Sequence, residues 1–344
     1  MKVLHVIPSL SPSQGGPSKA LPEMARGLVQ SGAIIDIACT DDDGAGKRLE
    51  QVTLGLPILD SSGFRVFYFP KQTEFYKVSL PLLLWLCRHA REYDVIHIHT
   101  VFSFSTLAAA LAARLSGVPY LVRPLGVLNT WGMKNRRRWV KALSLAVLDK
   151  PALNAAVAMH YTSDQEAAEA APLRLRPLAV VLPLGMDLSA FGALPPSKSL
   201  ASIWPETSGK RVLLFLSRLD EKKGLPVLLA AFSTILASCP ETMLLVAGDG
   251  DAMLQQALRQ QAQDLGIRQA VIWAGHVAGD RKLTALAGAD LFVLPSRSEN
   301  FGIALLEAMA AGLPCVTTTG VALACDEVCR DAVIRTPVDD AEAL

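Results

Sequence analysis

The sequence predicts an α/β protein of two doubly wound, Rossmann-like domains facing each other across a cleft. Three observations support this. With 344 residues, the chain suits two domains of roughly 150 residues each. Short apolar runs alternate with helical stretches through most of its length, the pattern of parallel strands joined by right-handed crossovers. Between the two series lies a stretch with little periodicity, marked by Pro183, Gly185, Gly192, Pro195 and Pro196. The expected organisation is therefore a first domain over residues 1–183, a linker over 184–199 and a second domain over 200–344.

The elements follow in order. A buried-strand pattern at Lys2–Ile7 leads into a loop with Gly15 and Gly16, a helix from Pro17 to about Gln30, and a strand at Ile34–Cys39. Strands are next expected at Arg65–Phe69, Val95–Ile98, Tyr120–Pro124 and Met159–Tyr161. Helices fall near Leu80–Glu92, Ser105–Ser116 and Lys134–Leu148. The second series has strands at Val212–Leu216, Met243–Ala247, Val271–Trp273, Leu291–Leu294 and Cys315–Thr317. Its helices are expected at Leu225–Ala237, Met253–Leu265, Asp280–Ala287 and Ile303–Ala311. Ligands of such sheets sit beyond the strand C-termini, which places the expected reaction centre between the domains.

Composition excludes several classes. A net charge of +1 argues against a nucleic-acid protein driven by global charge. The six cysteines form no C-x-x-C pair, and no histidine completes a zinc set near Cys325 and Cys329, so reduced thiols in a cytoplasmic protein are expected. The apolar runs Val78–Cys87 and Leu107–Val122 fail as membrane spans, the first by length and the second by its Arg114. No G-x-G-x-x-G follows either first strand, which removes a nicotinamide dehydrogenase.

Chemistry concentrates in the second half. Residues Ala289–Thr317 read as a buried strand, a loop carrying Glu299, and a helix that opens near Gly302, holds Glu307 and is stopped by Gly312 and Pro314. The opening amides of a helix have no internal partner and sit at the positive end of its dipole, which suits a phosphate. Glu299 can accept hydrogen bonds from sugar hydroxyls, and Glu307 from a ribose diol; a plain acidic helix start is the alternative. After the first strand of this half, FLSRLDEKKG places Arg218 and Lys223 within reach of a diphosphate. Gly248 and Gly250 in AGDGD permit close backbone approach after the next strand. Asp249 and Asp251 also spell D-x-D, but the two cations already supply what a divalent ion would, so no metal is expected. Asp41–Asp43 reads as a solvated loop.

The stretch SENFGIALLEAMAAGLP closely resembles the E-x7-E signature of glycosyltransferase family 4, retaining enzymes of the GT-B fold, and Arg218 and Lys223 match that family's phosphate-binding pair. The resemblance implies a metal-independent, retaining transfer of a sugar from a nucleotide diphosphate donor, with no cofactor. It implies donor contacts at Gly15, Gly16, Arg218, Lys223, Gly248, Gly250, Glu299, Asn300, Phe301, Gly302, Ile303 and Glu307. It also implies catalytic roles for Arg218, Lys223, Glu299 and His99. His97 and His99 point to one side of DVIHIHT. His99, at the strand tip, is expected against the transferred sugar, and His97, lying deeper, to be structural.

On the acceptor side, Trp131 and Trp139 interleave with Lys134, Arg136, Arg137, Arg138 and Lys141. Such a helix suits an anionic membrane surface or a lipid-linked acceptor, with a solvated basic helix as the alternative. Many family members extend lipid-linked cell-surface glycans, so a glycan or lipid-linked acceptor, handled at the inner face of the plasma membrane, is the expected partner. The sequence departs from the family at Gly32-Ala33, at Leu184–Asp187 and at Gly320–Ala322, where members carry Gly-His, Asn-Gly-x-Asp and Gly-Gly-x-x-Glu. Members continue through further helices, so a chain ending at Leu344 is expected to lack them. A nucleotide-sugar 2-epimerase of the same fold, or a nucleotide-sugar-binding protein without turnover, are the competing readings.

Overall fold

The computed structural model describes residues 1–128, 142–329 and 331–344. They divide into two compact units, Met1–Met186 and Asp187–Leu344.

The first unit is an eight-stranded sheet in the order β3-β4-β2-β1-β5-β6-β7-β8. Its strands are β1 (Lys2–Ser9), β2 (Ile34–Thr40), β3 (Pro57–Leu59), β4 (Arg65–Phe69), β5 (Val95–His99), β6 (Tyr120–Arg123), β7 (Ala158–Tyr161) and β8 (Leu178–Val181). All neighbours pair in parallel except β3, which runs antiparallel to β4. Alternation along β1 serves two faces. Leu4 and Val6 pack into a core with Leu82 and Leu86 of α2 (Leu80–His89) and the alanines of α3 (Phe104–Ser116). Val3 and Ile7 pack on the other face with Leu21 and Ala25 of α1 (Gly16–Gln30). Ser79 and Ser103 cap α2 and α3 by accepting hydrogen bonds from the Leu82 and Thr106 amides. Two short helices, α4 (Lys150–Asn154) and α5 (Asp164–Ala170), precede the last two strands.

The second unit is a six-stranded parallel sheet in the order β11-β10-β9-β12-β13-β14. It comprises β9 (Arg211–Leu216), β10 (Thr242–Ala247), β11 (Val271–Gly275), β12 (Leu291–Leu294), β13 (Cys315–Thr318) and β14 (Val333–Thr336). The helices are α6 (Ser199–Ile203), α7 (Leu225–Ser238), α8 (Ala252–Asp264), α9 (Gly279–Gly288), α10 (Ile303–Ala310) and α11 (Ala322–Cys325). β9 and β10 are buried almost throughout, as strands covered on both faces must be.

Both sheets change winding direction once. In the first unit β2 lies on one side of β1 and β5 on the other; in the second, β10 and β12 flank β9. Loops leaving adjacent strands diverge at such a switch point, and the gap between them is where ligands of open α/β sheets bind.

Candidate active site

The switch point of the second unit collects the residues singled out in its sequence. Lys223 follows β9 on a short 3-10 turn, Glu221–Lys223, that Asp220 caps by accepting from the Lys222 amide. Glu299 follows β12. Their side chains meet as an ion pair, Lys223 Nζ on Glu299 Oε2, with exposures of only 10% and 19%. Burial, with the charges of Lys222 and Arg218 nearby, pulls the Lys223 ammonium down to about 7. The touching Glu299 carboxylate favours the charged form and so opposes that pull. Arg218 stands more open, its side chain 53% exposed and 4.0 Å from Asp220 Oδ2.

Glycines let three loops close on one another here. Gly224 has φ +68°, and a Cβ on it would collide with the Pro295 carbonyl; one on Gly320 would meet the Ser296 and Arg297 carbonyls. The Arg297 amide donates to Lys222 O at 2.7 Å, the Glu299 amide to Gly320 O at 2.8 Å, and the Ala322 amide to Glu299 O at 3.1 Å. The turn where the family carries Gly-Gly-x-x-Glu is thus used to splint the Glu299 loop. Phe301 is buried, Gly302 caps α10 with φ +89°, and Ile303 opens the helix. Asn300 lies in the same loop. The first-turn amides of α10 therefore start beside the Lys223–Glu299 pair.

Glu307, expected to face a ribose, is only 12% exposed and is paired with Lys282 Nζ of α9 at 2.6 Å. Sequence reasoning missed Lys282, because a lone lysine on an amphipathic helix carries no spacing signal. Gly248 and Gly250 have a local reason to be glycine. A Cβ on either would strike the Ser217 or Leu219 carbonyl, where the loops after β9 and β10 run side by side. Asp249 Oδ1 accepts from the Gly250 amide and Gln255, and Asp251 caps α8 by accepting from the Met253 and Leu254 amides. Both carboxylates of the D-x-D are committed to local structure.

In the first unit, Gly15 (φ +82°) ends a short turn, Pro12–Gln14, and caps α1, of which Gly16 is the first residue. The expectation of a solvated Asp41–Asp43 loop is corrected. Asp41 and Asp42 are each 3% exposed because buried Lys71 draws them in. Lys71 Nζ donates to Asp42 Oδ1 at 2.8 Å and to the Gly44 and Lys47 carbonyls, while Asp41 Oδ1 accepts from the Lys71 amide. Ser9 Oγ donates to Asp42 O at 2.5 Å, and Ser11 Oγ to Asp43, which ties the glycine loop to the loop after β2.

His99 ends β5, at the strand tip as expected, and is 1% exposed; His97 is 7% exposed. Register places His5 opposite His97 and His99 opposite Arg123. All four lie on interior strands, which explains the burial. His5 Nδ1 lies 2.9 Å from His99 Nε2, and His97 Nε2 lies 3.2 Å from His160 Nδ1. His160 Nε2 donates to the Leu182 carbonyl, so its Nδ1 is an acceptor and His97 Nε2 must carry the proton. Burial, first of all, pushes His5 down to about 3 and His97 and His99 well below 6.5; Arg123 adds to all three. The nitrogens of His5, His97 and His99 come within 4.8 Å of one another, close enough for a metal ion. Arg123, whose charge acts on all three, opposes a divalent cation there because like charges repel.

Trp131, Lys134, Arg136, Arg137, Arg138, Trp139 and Lys141 lie outside the described residues. No helix among the described residues is long and apolar enough to cross a membrane.

Two Rossmann-like units, each built on a largely parallel sheet, are the plan of the GT-B glycosyltransferases. The chain belongs to the family of group 1 glycosyl transferases. That family's profile matches residues 198–344, and a glycosyl transferase 4-like domain matches residues 15–185. Phosphatidyl-myo-inositol mannosyltransferase of Mycolicibacterium smegmatis is 37% identical over 168 residues, 48% of this chain and 41% of that protein. Alpha-monoglucosyldiacylglycerol synthase of Streptococcus pneumoniae is 27% identical over 242 residues, 66% of this chain and 52% of that protein. The matched regions thus span about half or less of these curated relatives. Anabaena HepE in complex with UDP and glucose superposes with a TM-score of 0.73 at 20% identity, covering all of this chain and 87% of that one. Sucrose-phosphate synthase of Thermosynechococcus elongatus gives 0.74 at 19% identity, again over all of this chain and 87% of that one. At these identities the structural likeness speaks to the fold alone.

Proposed function

We propose that this protein transfers a hexosyl group from a nucleoside diphosphate sugar to a glycan or lipid-linked acceptor. We further propose that it retains anomeric configuration, needs no metal ion and serves cell-surface polysaccharide synthesis at the inner face of the plasma membrane. The observation that carries this reading is the enclosed Lys223–Glu299 pair beside the start of α10, with Arg218 on the same loop as Lys223. When the sugar–phosphate bond breaks, charge develops on the leaving diphosphate and the sugar carbon becomes oxocarbenium-like. Arg218, Lys223 and the α10 amides are groups that stabilise the first. Their fixed positive charge does the work a divalent ion would do. A diphosphate arriving here takes Lys223 as its counterion and frees Glu299 to accept from sugar hydroxyls. The relatives named for mannosyl transfer to phosphatidyl-myo-inositol and for a glucosyldiacylglycerol product favour a lipid acceptor.

The test is a calorimetric screen of UDP-, GDP- and ADP-sugars in EDTA, followed by NMR of the product anomer with lipid-linked acceptors. Sub-millimolar binding and an axial or equatorial linkage matching the donor are expected. Turnover of donor alone to its 2-epimer would replace this reading with the epimerase, and binding without product would leave a binding protein.

A further inference from the structure

The first unit holds two arginines whose side-on edges can be compared. Arg65 directs Nε and Nη2 at Asp36, donating to Oδ1 at 2.7 Å and Oδ2 at 2.6 Å, the two-pronged grip that guanidinium makes on a planar oxyanion. Arg123, the last residue of β6, is 1% exposed, and its same two nitrogens, Nε and Nη2, are fully enclosed without a hydrogen-bond partner. His5 Nε2, in the adjoining histidine cluster, is enclosed and unpartnered too. A buried guanidinium edge without an acceptor is costly, and native interiors retain very few such groups.

None of the described residues supplies the missing acceptor. Glu166 is the carboxylate that acts electrostatically on Arg123. Its oxygens are committed elsewhere, Oε1 to the Gly126 amide at 2.6 Å and Oε2 to the Thr162 amide and hydroxyl at 2.8 and 2.9 Å. The histidines are no substitute, since an imidazole offers a single lone pair to a fork built for two oxygens. Arg123 also stands at the C-terminal end of β6, the strand next to β5 of the β1/β5 switch point. The turns beyond β5 and β6 hold Thr100, Phe102 and Leu125 at φ +78°, +59° and +59°.

We propose that the Arg123 fork, with His5 Nε2–H as a third donor, receives an oxyanion of phosphate or carboxylate type, carried by the acceptor. Only the assignment to an acceptor rests on the transferase reading; the oxyanion site stands on the first unit alone. His5 must then hold its proton on Nε2 and accept from His99 Nε2–H through Nδ1, a tautomer the 2.9 Å contact allows.

The experiment uses the full chain with Arg218→Ala and Lys223→Ala, so that the cations of the second unit do not respond. Inorganic phosphate and a hexose phosphate are titrated against chloride at equal ionic strength, with thermal unfolding and histidine 15N NMR as readouts. A rise of about 3 °C at ten times the dissociation constant is expected for phosphate and not for chloride, with the His5 resonances shifting. Arg123→Met should abolish the response while unfolding at a temperature no lower than its parent, because an apolar chain replaces an orphaned charge. Arg123→Lys, which keeps the charge but not the fork, should bind at least tenfold more weakly. No shift with phosphate, or a shift that survives Arg123→Met, overturns the site. Tenfold tighter binding of the hexose phosphate supports the acceptor assignment, and equal affinity overturns it. Nucleotide-sugar binding by the unaltered chain reads the second unit separately, so the two proposals fail independently.

Discussion

Mild acid should unfold the first unit while sparing the second. His5, His97 and His99 are neutral in the folded chain because burial holds their pKa values far below 6.5, His5 at about 3. The groups facing them are His160, also lowered by burial, the fixed charge of Arg123, and Glu166 acting on Arg123. Once unfolded, each histidine titrates near 6.5. Folded pKa values below unfolded ones mean the unfolded state binds more protons between pH 6.5 and about 3. The stability they confer is thus complete above pH 6.5 and drains away as pH falls. Each histidine that stays neutral costs about 1.4 kcal/mol per pH unit in that window, so three of them remove about 4 kcal/mol by pH 5.5. That is a large share of the 5–15 kcal/mol typical of a whole domain. The second unit provides an internal control, since its histidine, His276, is exposed. Hydrogen-exchange mass spectrometry at pH 7.5, 6.5 and 5.5, corrected for intrinsic rates, should show protection falling in β1 and β5 peptides and holding in β9 and β12. His5→Gln should flatten the slope by about a third. Equal loss in both units, or a flat response down to pH 5.5, would refute the neutral-cluster account.

Three further outcomes follow from the second unit. Lys223→Ala should weaken nucleotide-sugar binding at least tenfold by calorimetry, since it removes a desolvated charge-assisted contact of about 1.5–3 kcal/mol; affinity within twofold of the parent would remove Lys223 from the donor site. Gly224→Ala forces a Cβ against the Pro295 carbonyl at φ +68° and should destabilise this unit by about 2 kcal/mol or more in urea unfolding. Asp251→Ala should cost about 1 kcal/mol of stability as a lost helix cap and leave donor affinity unchanged with or without magnesium. A magnesium-dependent loss of affinity there would revive the metal reading of the D-x-D.

The strand–helix rhythm was legible because its signals are local: buried apolar runs, glycine stops, and Pro295 and Pro314 as boundaries. Seven elements escaped for physical reasons. β3, β8 and β14 are three- or four-residue strands with no apolar alternation to betray them, α4, α6 and α11 are four- or five-residue helices too short to show a period, and α5 is a seven-residue helix of Asp, Gln, Glu and Ala. Arg218, Lys223 and Glu299 were legible because each lies on a loop leaving a strand beside the switch point, and a motif records that placement. What pairs with Glu307 was not, because Lys282 arrives from a separate helix 25 residues earlier. The histidine cluster was hidden for a related reason. His5, His97, Arg123 and His160 come from four strands, and only their register reveals that His99 faces inward. Asp41 and Asp42 look solvated in a run of three aspartates until Lys71, 29 residues beyond Asp42, folds back onto them.

The knot around Lys71 has a mechanical consequence. Through Ser9 and Ser11 it fastens the turn ahead of α1 to the connection leaving β2, and through its own amide to the end of β4. Any displacement of that turn must carry both neighbouring connections with it or tear several desolvated bonds at once. The mouth of the first helix is therefore held as one stiff block, and a substitution at Lys71 should be felt at Gly15 although the two are 56 positions apart in the chain.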